Sequence, residues 1–151
     1  MMKKFSKGTL LFSLTCLLFI FTALDTPKFY YRYKAFLACQ FSDSIGVTKQ
    51  EFDGLLTQPL CAKDSAGNVH KIESFEITYA ERGLYQDSTG LPIIFTDYSI
   101  EECKGDSIPV KWKSNFYENG HKGDTVSIDR ILVRGSDQKP YYCKRLKFVI
   151  R

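Results

Sequence analysis

His70 and His121 are the only two imidazoles in the chain, and each sits beside residues that favour a turn. Acid–base or nucleophilic chemistry near neutral pH would start from them, with a thiol, hydroxyl or carboxylate as partner. No G-x-S-x-G elbow, H-E-x-x-H pair or glycine-rich phosphate loop accompanies them. Glu101 and Glu102 are adjacent, so on a strand they point to opposite faces and make a poor acid–base pair. Cys103 lies in IEECKGD, where acidic neighbours raise a thiol's pKa and weaken it as a nucleophile. Asp106, Asp124 and Asp129 offer oxygen ligands without the D-x-D-x-D-G spacing of a calcium loop. The Gly-Asp pairs at 105–106 and 123–124 read instead as turns, where special backbone angles and local hydrogen bonds are needed. The expectation is a protein that is not an enzyme, with no catalytic, cofactor-binding or metal-binding residue.

The start of the sequence predicts that the remainder lies outside the cytoplasm. Net charge is +4, but Lys3, Lys4 and Lys7 precede Asp25 without any acid among them. Of the 21 basic residues, 18 remain from Asp25 onward against 17 acidic ones, too even a balance for a nucleic-acid surface. The opening MMKKFSKGTLLFSLTCLLFIFTALDTPKF sets a cationic stub before an apolar run from Thr9 to Leu24. That is the pattern of a cleaved signal peptide or a retained signal anchor, with the remainder exported. Phe21 stands where a cut after Ala23 wants a small residue, and Cys16 lies mid-run, a poor lipid-attachment site. Beyond it, Cys39, Cys61, Cys103 and Cys143 allow three full pairings in an oxidising compartment, or serve as small buried hydrophobes. None forms the C-x-x-C pair of a zinc or redox site.

An aromatic share of 15% favours strands. Residues 1–24 read as the targeting segment, 25–45 as a linker or first strand, and 46–151 as a β-rich domain. In GVTKQEFDGLL, Thr48 and Glu51 fit a capping box and Val47 can staple onto Phe52, which predicts a short helix. LCAKD and VHKIESFEITYA read as a hairpin, with Phe75, Ile77 and Tyr79 on one face. ERGLYQDSTGLP reads as turn-rich, and IIFTDYS as a further strand. In DSIPVKWKSNFYENG, Ile108, Trp112 and Phe116 recur at helical spacing, Ser107 is a candidate cap and Trp112 a core anchor. Near the end, Val126 and Ile128 are out of phase with Ile131 and Val133, so a β-bulge is expected at Asp129-Arg130. The last strand sets Leu146, Phe148 and Ile150 against Arg145 and Lys147. The fold class expected is mainly β: an antiparallel, sandwich-like domain with one or two short helices, preceded by an N-terminal hydrophobic helix.

Residues of about 60–151 resemble the C-terminal domain of GldM, the gliding-motility and type IX secretion protein of Bacteroidetes. The resemblance is carried by Lys122-Gly123-Asp124 ahead of a strand and by Ile128-Asp129-Arg130-Ile131 within it. It continues in the turn from Gly135, the closing L-x-F-x-I of Leu146, Phe148 and Ile150, and the earlier SFEIT at 74–78. Where the family favours a Pro-Asp-Gly-like turn, this chain has Ser136-Asp137-Gln138-Lys139-Pro140. The resemblance implies a β-rich interaction module, exported to the periplasm or anchored in the inner membrane facing it. Its partners would be other envelope proteins, including secretion and motility machinery, with no nucleic acid and no cofactor. A stand-alone exported protein that binds a small ligand is the alternative expectation. Tyr141 and Tyr142 are candidate contact residues, or else packing at a strand start.

Overall fold

Strand formation follows the aromatic and β-branched residues of the sequence, and two short helices interrupt it. The computed structural model describes residues 31–151, which form one unit from Tyr31 to Arg151. The chain begins with β1 (Lys34–Leu37), β2 (Ser44–Val47), α1 (Lys49–Leu56), β3 (Leu60–Lys63) and β4 (Val69–His70). Then follow β5 (Ile72–Gln86), β6 (Pro92–Lys104), α2 (Val110–Asn119), β7 (Thr125–Arg134), β8 (Pro140–Tyr142) and β9 (Leu146–Ile150). The apolar helix expected over 1–24, with Cys16 and Ala23, lies outside the described residues. Among the described residues, no helix is long and apolar enough to cross a membrane.

The strands make two sheets. A small antiparallel sheet has the order β1-β3-β4, and a six-stranded sheet has the order β2-β9-β7-β5-β6 with β8 also on β7. The expected antiparallel arrangement needs one correction, because β2 runs parallel to β9, from Ser44↔Lys147 to Val47↔Ile150. A parallel neighbour requires a crossover, which the long excursion between β2 and β9 supplies.

One face of the large sheet carries the core. Phe75, Ile77, Tyr79, Val126, Ile128, Phe148 and Ile150 are buried there, in one cluster with residues of both helices and of the small sheet. The strand alternation expected for Leu146, Phe148 and Ile150 is present, with Arg145 and Lys147 exposed. Helix α1 has the predicted capping box: Thr48 accepts from the Glu51 amide, and Glu51 accepts from the Thr48 amide at 2.8 Å. Its Phe52 and Leu56 are buried one turn apart. Helix α2 buries Trp112 and Phe116, as their spacing implied. Ser107 does not cap it. Pro109 occupies the cap position without a side-chain bond, and the Ser107 hydroxyl donates to Asp106 Oδ1 at 3.0 Å. The Phe116 ring then ties the layers, edge-on to Tyr79 at 4.8 Å and to Phe52 at 5.7 Å.

The bulge lies where the phase change put it. Glu76 pairs with Asp129 but Ser74 with Leu132, and Arg130 takes φ 47° to absorb the extra residue. Ile128, Ile131 and Val133 can therefore all face the core and are fully buried. The turn-rich reading of ERGLYQDSTGLP is overturned. Strand β5 continues to Gln86 and β6 starts at Pro92, so the two make a hairpin arm that turns at 87–91.

Of the four candidate disulfide cysteines, Cys39 and Cys61 are bonded, with Cα atoms 5.0 Å apart and a sequence separation of 22. Cys103 and Cys143 are free thiols, both buried, which corrects any expectation of a second bridge. The bond fastens the loop after β1 to β3. Replacing Cys39 and Cys61 together with alanine should cost about 3 kcal/mol of stability, the loop-closure value for that spacing, read as a lower urea midpoint.

Candidate interaction surface

The Lys122-Gly123-Asp124 triplet is a structural joint. Gly123 sits at φ +100°, a left-handed conformation that side chains with a Cβ disfavour. Asp124 is fully buried, the one charged residue in that class among the described residues. Its carboxylate accepts from the Tyr79 hydroxyl at 2.6 Å, the Arg82 amide at 2.8 Å and the His121 amide at 2.7 Å. Three donors satisfy a buried charge that would otherwise be costly. Burial, and then the Asp124 carboxylate, push the Tyr79 phenol well above its ordinary pKa. Lys122 is exposed and Gly135 is buried at the β7–β8 turn, where its amide donates to the Lys139 carbonyl at 2.9 Å.

Behind the core, the other face of the large sheet is an open trough of about 550 Å³, lined among others by Thr78, Ser127, Asp129, Arg145 and Lys147. Two ion pairs lie in or beside it. Arg145 reaches Asp129 at 2.8 Å and Arg130 reaches Glu76 at 3.3 Å, across the paired Glu76 and Asp129. Burial holds the Asp129 carboxyl above its usual pKa despite Arg145, and Glu76 adds to the rise.

The residues with chemical potential are dispersed. His70 on β4 contacts Asp64 at 3.0 Å and stacks edge-on to Tyr33, whereas His121 is exposed in the turn before β7. Asp106, Asp124 and Asp129 each have separate hydrogen-bond partners: Ser107, the Tyr79 joint and Arg145. Glu101 accepts from the Trp112 indole, and Glu102 faces the opposite side of β6. Tyr141 packs on Tyr33 and bonds Asp137 and Arg32, while Tyr142 is exposed. Burial raises the Cys103 thiol to about 11, helped by Glu101 and Glu102, and the Cys143 thiol to about 12.

The surface that sequence reasoning read only in part is the arm: IIFTDYS was expected as a strand and lies within β6, but its partner half in β5 was not. Strand β7 pairs with β5 only as far as Ala80↔Thr125, so β5 and β6 continue beyond it as a bare two-stranded ribbon. Asp87 fastens its tip: Asp87 Oδ1 accepts from the Thr89 and Leu91 amides, and Gly90 takes φ +81°. Leu84 (70%), Ile94 (63%), Tyr98 (64%) and Ile100 (62%) of the hairpin stand exposed on one of its faces. Phe95, Ile93 and Tyr85 are exposed on the other. The usable signal was a D-x-x-G turn between two apolar runs, Gly83-Leu84-Tyr85 and Leu91 to Phe95.

Among the described residues, strand β6 is also the last strand of its sheet. The Asp87 amide bonds the Leu91 carbonyl at 3.0 Å, and the Gly105 amide bonds the Glu73 carbonyl at 2.7 Å. Those two contacts mark bonded pairs at both ends of one unbroken register, so every second pair between them is bonded too. Odd-numbered residues of β6 therefore face β5, while Ile94, Thr96, Tyr98, Ile100 and Glu102 turn their backbone groups to the open edge.

No protein-family model matches the chain, and a search of curated proteins finds no similar sequence.

Two outcomes follow from this geometry. Asp124→Ala strands three donors and should lower stability by about 4 kcal/mol, measured by urea unfolding, with Asp124→Asn costing less because it keeps one acceptor oxygen. The folded state holds Cys103 and Cys143 protonated, so their contribution is complete below the ordinary thiol value of 9.0 and is lost as pH rises through about 11 and about 12. Between those limits the wild type should lose stability more steeply than a Cys103→Ala, Cys143→Ala variant.

Proposed function

We propose that this chain is a non-enzymatic interaction module of the bacterial cell envelope, similar in role to the C-terminal domain of GldM and working with gliding-motility or type IX secretion proteins. The cationic and apolar start of the sequence supports export, with the folded part in the periplasm, free or anchored to the inner membrane. Support for the family reading comes from the K-G-D joint, the bulge inside Ile128–Ile131 and the closing Leu146, Phe148, Ile150 strand. On this reading, the large sheet with its covering layer of helices and small sheet corresponds to the family's sandwich-like domain.

The observation that carries the proposal is the apolar arm. Contiguous large hydrophobic side chains held in water away from a core mark an interaction site. A second reading, capture of a small apolar ligand, rests on one other feature. Phe41, Ile45, Val47 and Leu55 line a groove of about 670 Å³ between β2 and α1.

Affinity capture from the native envelope with the full chain as bait tests the proposal. Secretion or motility components should be recovered. A variant whose arm is cut back to an Asn-Gly turn should keep its fold and lose them. Recovery that is indifferent to the arm, or robust turnover abolished by changing His70 or His121, overturns it.

A further inference from the structure

Resting on the interaction-module reading, we propose that the open edge of β6 receives an extended segment of a partner polypeptide, in which lysine or arginine alternates with apolar residues, as an added strand. The backbone argument is direct. Ile94, Thr96, Ile100 and Glu102 point amide and carbonyl groups outward, and among the described residues no strand lies beyond them. Tyr98 is the exception: its outward amide donates to the Asp97 carboxylate at 2.9 Å. Asp97 thus covers the middle of the edge with its own side chain, as natural edge strands often do with a charged residue.

The chemistry of the segment follows from what surrounds that guard. Asp97 stands directly opposite Glu81, a like-charge pair that is unfavourable across two strands. Among the described residues, no lysine or arginine makes an ion pair with Glu81, Asp97, Glu101 or Glu102. A cation on the incoming strand would neutralise the Glu81–Asp97 pair and draw the Asp97 carboxylate away, releasing the Tyr98 amide to join the ladder. On the opposite face, Ile94, Tyr98 and Ile100 stand exposed, with Thr96 between the first two and Glu102 beyond the last, and need apolar residues beside them. Along Asp97 to Glu101 the two faces together call for alternation of basic and apolar residues, while Ile93 and Phe95 make the acidic face apolar toward the tip. Main-chain bonds give affinity and side chains give choice.

Two other occupants fit less well. A second copy, paired edge to edge through β6, would bring two sets of the same unpaired acids together. A lipid bilayer entered tip-first would have to take in Gln86, Asp87, Ser88 and Thr89, with Asp87 already committed to the turn.

The probe is a short fluorescent peptide alternating lysine with valine, and the control has glutamate in place of lysine. Titrated against the full chain, the lysine peptide should bind and the glutamate peptide should not. Asp97→Lys should weaken binding about tenfold, the scale of one lost close charge pair. Thr96→Pro removes an outward amide without touching a bond to β5, so it should abolish binding while circular dichroism and the melting temperature stay near wild type. Hydrogen exchange should slow at Ile94, Thr96 and Ile100 on binding. Equal binding of both peptides, or protection elsewhere, overturns the proposal. So does dimerisation of the free chain that Thr96→Pro abolishes, which would assign the edge to a second copy. Binding to phosphatidylglycerol vesicles lost on Ile94→Ser but kept in Thr96→Pro would assign it to membrane. If Thr96→Pro still captures the native partners, strand addition falls while the interaction-module reading stands.

Discussion

The buried Asp124 carboxylate is the constraint on which the working parts depend. It holds Tyr79 and Arg82 of β5 and the His121 turn at once. Its backbone belongs to the same joint, since its carbonyl accepts from Ile150 and the Gly123 amide donates to the Ile150 carbonyl at 2.8 Å. The turn after α2 and the exit of β5 are therefore fixed by one carboxylate, and the same joint fixes the start of β7 to the end of β9 through its backbone. That exit is where β7 stops pairing with β5. Everything beyond it is arm, so the direction in which the arm leaves the sheet is set by a fully desolvated carboxylate. Such a charge tolerates little displacement, because each lost donor leaves it less compensated in a medium of low dielectric.

How much of this was readable in the sequence depended on whether an element has one wet side. Residues facing a core on one side and water on the other write their periodicity plainly. Leu146, Phe148 and Ile150 on β9, and Phe75, Ile77 and Tyr79 on β5, were placed by alternation alone. The bulge at Arg130 was legible for the same reason, since a lapse in phase is visible only against a regular pattern. Thr48 and Glu51 were legible because a capping box is local chemistry. Ser107 misled, because its hydroxyl found Asp106 and Pro109 took the cap position.

The β5 half of the arm was illegible, although IIFTDYS in β6 was read as a strand, because both faces of the arm meet solvent. Nothing then selects alternation, and Gly83 opposite Phe95 further blurs the strand pattern. Pairing choices made at a distance were equally hidden. No local signal distinguishes Cys39 and Cys61 from the two thiols that remain free, nor sets β2 parallel to β9. The candidate site was thus the least legible part of the molecule, which is where local consistency is expected to yield to function.

A two-stranded ribbon without a third strand or a packed face is marginal in water. Here that ribbon carries Leu84, Tyr85, Ile93, Ile94 and Phe95, which would be better buried by any collapse onto the domain. Its extension is held from both ends, by the Asp124 joint at the base and the Asp87 turn at the tip. Between them, Asp97 and the missing amide of Pro92 reduce the pairing capacity of the edge, and the unpaired acids repel a second copy. Apolar side chains alone would make such an arm sticky toward any exposed strand. The carboxylates convert that general adhesiveness into a preference, because only a cationic segment gains from displacing the guard. Selectivity in this arrangement comes from what the edge refuses as much as from what it holds.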